Sequence, residues 1–171
     1  MATKFSSIGI VSRLDLKGAI ELARKIAGYI QDKGLEAILA EDLAEKLGYK
    51  GNASPIEKMD TDLIVIIGGD GTILRTCLLL PKPEPPILTV NMGERGFLAE
   101  VKPEEAIEAI DKCLKGEFKI ETHSKLTAYV NNKRLPDALN EVFVSAGMPV
   151  KLLYAKIWKN GNYVGECQAD G

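Results

Sequence analysis

The chain has 171 residues, enough for one ordinary domain or two small ones. A net charge of -2 carries no basic signal for nucleic acid, and an aromatic content of 6% argues against base-stacking platforms. Apolar (46%) and charged (27%) fractions are those of a soluble globular protein, and no apolar run approaches membrane-spanning length. The N-terminus, Met1 to Phe5, leads into a strand pattern and not a signal peptide, so the expected location is the cytoplasm. Cys77, Cys113 and Cys167 are far apart, odd in number and without zinc spacing, and read as reduced structural thiols.

In chain order, Ser6 to Val11 reads as a first strand. Asp15 is placed to cap a helix carrying Leu16, Ile20, Ala23, Ala27 and Ile30 on one face, closed by Gly34. Leu35 to Ala40 is a second strand and Asp42 to Leu47 a short helix. Gly48 to Met59 reads as a surface loop. Ile64 to Ile67 is an unbroken Val/Ile run, suited to a strand buried on both faces. A helix is expected from near Thr72 to Leu80, stopped by Pro81, and Lys82 to Pro86 is a connector. Ile87 to Val90 is another strand. This alternation predicts a parallel, right-handed, Rossmann-like α/β domain over residues 1–101.

The pattern changes after Val101. Pro103, Glu104 and Glu105 open a helix whose apolar stripe is Ile107, Ile110 and Leu114, and Gly116 ends it. Beyond it, Leu126–Val130, Ala138–Ser145, Leu152–Trp158 and Tyr163–Cys167 alternate like antiparallel strands. Asn131-Asn132 and Asn160-Gly161-Asn162 supply turns, and Trp158 and Tyr163 read as a cross-strand pair. Residues 102–171 are therefore expected to be a linker helix and the first part of an all-β, sandwich-like domain. No internal repeat is visible.

Three stretches carry chemistry. Gly68-Gly69-Asp70-Gly71-Thr72 ends the Val/Ile strand. Its glycines suit a turn where backbone N–H groups approach something closely, and the following helix aims its positive end at the same spot. A carboxylate there is repelled by phosphates unless it engages a metal ion or a proton. The plainer reading is a strand-turn-helix corner with Asp70 as N-cap. The stretch is no P-loop, because no Lys-Ser/Thr pair follows, and it lacks the third glycine of a dinucleotide fingerprint. Asn91-Met92-Gly93-Glu94-Arg95-Gly96-Phe97-Leu98 follows the next strand, with Phe97 and Leu98 available as an apolar wall for a flat base or as core. Asn140-Glu141 offers an amide and a carboxylate to hydroxyls or a base edge, or is simply a polar strand end.

The first stretch resembles a Gly-Gly-Asp-Gly-Thr signature shared by NAD kinases, diacylglycerol and sphingosine kinases and, more loosely, 6-phosphofructokinases. All three in this order resemble the NAD kinase family, with Gln168-Ala169-Asp170-Gly171 similar to its Ala-Asp-Gly segment. The resemblance implies phosphoryl transfer from ATP or polyphosphate to the 2′-hydroxyl of the adenosine ribose of NAD, with Mg2+. It implies Asp70 as the catalytic carboxylate, as general base or within the Mg2+ arrangement. Gly68, Gly69, Gly71 and Thr72 would bind phosphate. Asp70, Gly71, Arg75, Phe97, Asn140, Glu141, Lys151, Gln168 and Asp170 would contact NAD or its phosphates, and no residue is assigned as a protein metal ligand. Gln168 and Lys125 stand where relatives often carry Arg (at Gln168, also Lys), which puts a charged contact at Gln168 in question. His123, the single histidine, reads as structural or exposed.

Family members continue past Ala-Asp-Gly with further strands and a Thr-Pro-Thr-Gly-Ser-Thr-Ala-Tyr loop. The expectation is a fragment or part of a longer chain, with unpaired strand edges, weak NAD binding and weak catalysis on its own. The partners implied are NAD and ATP, with neither nucleic acid nor membrane, and a homodimer or homotetramer for the full-length protein. Two alternatives stay open: a lipid kinase catalytic half, which needs an apolar groove, and a non-catalytic nucleotide sensor on the same fold.

Overall fold

The structure, a computed structural model, describes residues 5–93, 96–147 and 151–171. It divides into two compact units, residues 1–139 and 140–171. The first holds a five-stranded parallel sheet in the order β3-β2-β1-β4-β5. The strands are β1 (Ser7–Ser12), β2 (Glu36–Ala40), β3 (Ala53–Ser54), β4 (Leu63–Gly68) and β5 (Ile87–Asn91). Central β1 and β4 are buried nearly throughout, with Ile8, Ile10, Ile64, Val65, Ile66 and Ile67 fully out of water. This is why β4 shows no polar alternation: both of its faces are covered.

Among the described residues four α-helices accompany the sheet: α1 (Lys17–Asp32), α2 (Glu41–Leu47), α3 (Asp70–Leu79) and α4 (Ala106–Lys115). Helix α1 buries Ala19, Ala23, Ile26, Ala27 and Ile30, a stripe at helical spacing. Helix α4 buries Ala106, Ile110 and Cys113 in the same core, and Lys33, just past α1, pairs with Asp111 at 3.2 Å. Gly48 (φ +59°) and Gly116 (φ +76°) end α2 and α4 in the left-handed region, where a side chain would be strained. The chain runs from β1 outward through β2 and β3, then returns past β1 to β4 and on to β5. The order thus reverses between β1 and β4, and ligands of open parallel sheets bind at the strand C-termini beside such a reversal.

Past α4, β6 (Tyr129–Val130) and β7 (Lys133–Arg134) form a short hairpin around Asn131 and Asn132, both at positive φ. In the second unit, β8 (Leu153–Lys159) and β9 (Asn162–Ala169) form an antiparallel ribbon around Asn160 (φ +52°) and Gly161 (φ +81°). The Trp158 and Tyr163 rings meet edge to face at 5.7 Å, the expected cross-strand pair. Tyr154, Ile157, Trp158, Tyr163 and Val164 on this ribbon are exposed.

The fold class is as expected, with several local differences. The Gly48–Met59 stretch is not all loop: β3 and a 3-10 turn at Ile56–Lys58 lie within it. Asp15 does not cap α1, whose N-cap is Leu16, because Arg13 takes both carboxylate oxygens, at 2.6 and 2.7 Å. Helix α3 starts at Asp70, two residues before the expected Thr72. Ala138–Ser145 is no strand: Ala138 makes one bridge to Leu126, and Val142, Phe143 and Val144 are exposed. The compact units divide after Leu139, and α4 packs into the core of the sheet. Cys77, Cys113 and Cys167 are free thiols; burial pushes the first two up in pKa. No described helix is long and apolar enough to cross a membrane.

Candidate active site

The glycine turn sits where β4 ends, beside the reversal of the sheet. Gly69 is the N-cap of α3, and Asp70 is the first helical residue, not the cap of the plainer reading. None of Gly68, Gly69 and Gly71 has a positive φ. Their smallness therefore serves space, not backbone conformation. At Gly68 a Cβ would lie 2.7 Å from the Cβ of Thr72, so only glycine lets the first turn of α3 pack onto the strand end. At Gly69 and Gly71 a Cβ would meet nothing within 4 Å, and Gly71 is exposed.

Sheet pairing brings the second stretch to the first. Strand β5 runs beside β4 with Gly68 opposite Asn91, and the Met92 amide donates to the Gly68 carbonyl at 3.0 Å. The loop then returns over Asp70. The Phe97 amide donates to Asp70 Oδ2 at 3.0 Å and the Leu98 amide to Oδ1 at 3.1 Å. Each carboxylate oxygen thus accepts one backbone N–H, which fixes the plane of the group and leaves lone pairs on both oxygens. Gly96 lies so close that a Cβ there would stand 3.0 Å from Asp70 Oδ1. Asn91 turns inward on its own loop, its Oδ1 accepting the Gly93 amide at 2.9 Å. Phe97 itself is fully exposed, with its ring in solvent. Glu94 and Arg95 of this loop lie outside the described residues.

Arg75 reaches toward Asp42 of α2, at 3.9 Å, and its side chain is 69% exposed. Lys125 is the more firmly held cation. Its ammonium donates to the Cys77 carbonyl and to Glu84, both at 2.8 Å, in a mostly buried pair. The helical partner of that carbonyl would be the N–H of residue 81, which is a proline and has none. Lys125 supplies the missing donor at the C-terminal end of α3. A concavity of about 620 Å3 is lined by Lys125, Glu84, Thr89 and Leu98 among others, yet by none of residues 68–72. His123 also lines it and is exposed, as expected.

The remaining sequence-derived residues lie in the second unit. Asn140 and Glu141 are exposed and outside any strand. Lys151 precedes β8; Gln168, on β9, pairs in register with Tyr154; Asp170 follows β9. Gly171 sits against the ring of Phe143, two residues beyond Glu141, so the Asn-Glu and Asp-Gly segments approach each other within this unit. Sequence reasoning missed Thr89 and the part played by Lys125; a hydroxyl in an otherwise apolar run, Ile87-Leu88-Thr89-Val90, was the available signal for the first.

Residues 8–118 match the model of the ATP-NAD kinase N-terminal domain. The chain belongs to the NAD kinase family. It is 41% identical over 165 residues to an NAD kinase of Methanothermobacter thermautotrophicus, covering 96% of this chain and 58% of that protein. Among solved structures, an Archaeoglobus fulgidus NAD kinase in complex with ATP matches with a TM-score of 0.70 at 25% identity, over 96% of this chain and 58% of that one. Yeast NADH kinase complexed with NADH shares the fold, with a TM-score of 0.85 at 20% identity, over 98% of this chain and 56% of that one. The chain thus spans a little under three fifths of the NAD kinases it matches.

Proposed function

We propose that the full-length protein phosphorylates NAD to NADP, with ATP or polyphosphate as donor. The observation that supports this most directly is the seating of Asp70 on the Phe97 and Leu98 amides at the open end of β4, in a chain of the NAD kinase family. In the reaction the ribose 2′-oxygen attacks the terminal phosphorus, its proton passes to a carboxylate, and the bond to the departing phosphate breaks. Such transfer needs positioning and charge neutralisation more than covalent chemistry from the protein. Asp70 is the carboxylate in this reading, its lone pairs free to accept the hydroxyl proton. Gly69 and Gly71, with open space before them, admit phosphate oxygens to the N-terminus of α3, alongside Gly68 and Thr72.

Among the described residues no group of three or more His, Cys, Asp or Glu side chains is clustered for a metal. Mg2+ is commonly held by one or two carboxylates together with substrate phosphates. Asp70 is the side chain that would touch it, and the ion would neutralise charge on the phosphates. Phe97, Asn140, Glu141, Lys151, Gln168 and Asp170 are assigned to NAD. Arg75 reaches phosphate only by leaving Asp42. In this reading residues 102–171 are a linker helix and the incomplete start of an all-β NAD-binding domain, and the full-length protein is a cytoplasmic homodimer or homotetramer. The lipid-kinase alternative needs an apolar groove at the glycine turn, and the concavity of about 620 Å3 is lined by none of residues 68–72.

The test is transfer of labelled phosphate to NAD by the full-length protein with Mg2+, with ATP and polyphosphate as alternative donors and sphingosine as competing acceptor. Asp70→Asn is expected to keep NAD binding and to lose about 10²–10⁴ in turnover. Transfer to sphingosine and not to NAD would overturn the reading. An Asp70→Asn protein with undiminished function would favour the nucleotide sensor instead.

A further inference from the structure

The loop that orients Asp70 needs an anchor of its own, and the structure shows one. Thr89, on β5, donates its hydroxyl to the Leu98 carbonyl at 3.0 Å and accepts the Glu100 amide at 3.2 Å. Backbone bonds continue the attachment: Val101 N–H to the Thr89 carbonyl at 3.1 Å, and Asn91 N–H to the Val101 carbonyl at 2.8 Å. Those two bonds bracket the return of the loop. The Thr89 side chain bonds to Leu98, the residue whose own N–H holds Asp70 Oδ1.

We infer that Thr89 is a positioning residue for Asp70, its hydroxyl clamping the loop whose Phe97 and Leu98 amides fix the carboxylate. This rests on Asp70 being the catalytic carboxylate, as proposed above. The chain of contacts is short and directional. The Thr89 hydroxyl fixes the Leu98–Ala99 peptide at its carbonyl, on the far side of Leu98 from the N–H that bonds Asp70; that N–H and its neighbour's fix the two carboxylate oxygens. A valine at position 89 fills the same space and keeps the β-branch that suits a strand, yet it can neither donate to Leu98 nor accept from Glu100. A serine keeps the hydroxyl.

Two readouts on the full-length protein test the clamp. Amide hydrogen exchange at Phe97 and Leu98 reports whether those N–H groups stay bonded. Thr89→Val should accelerate both by about tenfold, as expected for loss of a hydrogen-bonded anchor, and Thr89→Ser should restore most of the protection. In NAD phosphorylation, Thr89→Val should lower kcat about tenfold with little change in KM, Thr89→Ser should recover most of it, and adding Thr89→Val to Asp70→Asn should cause no further loss. Unchanged exchange at Phe97 and Leu98 in Thr89→Val overturns the clamp. So does an equal rate loss in the wild-type and Asp70→Asn backgrounds, which would mark a general effect on the fold. A wild type that does not phosphorylate NAD defeats the kinase reading alone, and the exchange result then decides the clamp.

Discussion

Replacing Gly68 by alanine asks whether the seat of α3 on β4 sets the reaction geometry. The added methyl would stand 2.7 Å from the Cβ of Thr72, about 0.7 Å short of ordinary carbon contact. Thr72 cannot relieve this by turning its side chain, because the obstructing atom is attached to the helix backbone. The first turn of α3 has to move by that distance, and Asp70 is its first residue. A misplacement near 1 Å lowers rates by about 10²-fold. Crowding at a buried strand end should lower stability by about 1–3 kcal/mol. Steady-state NAD phosphorylation and urea denaturation of the full-length protein measure the two effects. The expected result is kcat down by one to two orders of magnitude, with a folded and measurably less stable protein. A Gly68→Ala protein with wild-type kcat would show that the strand-helix seat does not position the reacting groups.

Lys125→Met leaves the Cys77 carbonyl and Glu84 without their donor in a mostly buried place, and should lower stability by about 1–3 kcal/mol in denaturant titrations. An unchanged midpoint would mean that water takes over both bonds. Hydrogen bonds from the Ser6 amide and hydroxyl and from the Ser7 amide hold the Asp62 carboxyl below the usual carboxylate range. Its folded pKa is depressed, so its contribution is present above about pH 4 and is lost as pH falls through the folded value. Asp62→Asn should therefore lower the melting temperature at pH 7, and the difference from wild type should shrink as pH falls through the folded pKa of Asp62.

Much of the sheet was legible because burial on both faces leaves an unmistakable run of Ile and Val, as in Leu63–Gly68. Strand β3 was not legible, since two residues pairing at an edge carry no periodicity. The misplaced cap at Asp15 has a definite cause. The residue type was right for a helix start, but an arginine two positions earlier offered a bidentate partner. The Ala138–Ser145 segment alternates like a strand, yet a strand exists only where a neighbour pairs with it. For the site, sequence spacing identified the glycine turn and the Asn91–Leu98 loop separately. What joined them was the topology: β4 beside β5, with Gly68 opposite Asn91, puts a carboxylate within reach of amides 27 and 28 residues away. The Thr89 clamp depends on that same return of the chain and has no local signature.

Gly71 separates the demands of folding from those of function. It is the second residue of α3, is exposed, and a Cβ there would meet nothing within 4 Å. Glycine is the poorer choice for a helix, so Gly71→Ala should raise stability by about 0.5–1 kcal/mol. Among the described residues of this first unit, no packing contact accounts for a glycine at that position. In the proposed reading the demand comes from an external group close to the backbone, as phosphate oxygens come to a helix N-terminus. Gly71→Ala should therefore raise the melting temperature by a few degrees and lower kcat/KM for NAD phosphorylation by tenfold or more. The opposite signs matter, because damage to the fold would lower both. A more stable Gly71→Ala protein with full activity would mean that no substrate approaches this face of α3, and the phosphate assignment of the glycine turn would fall with it.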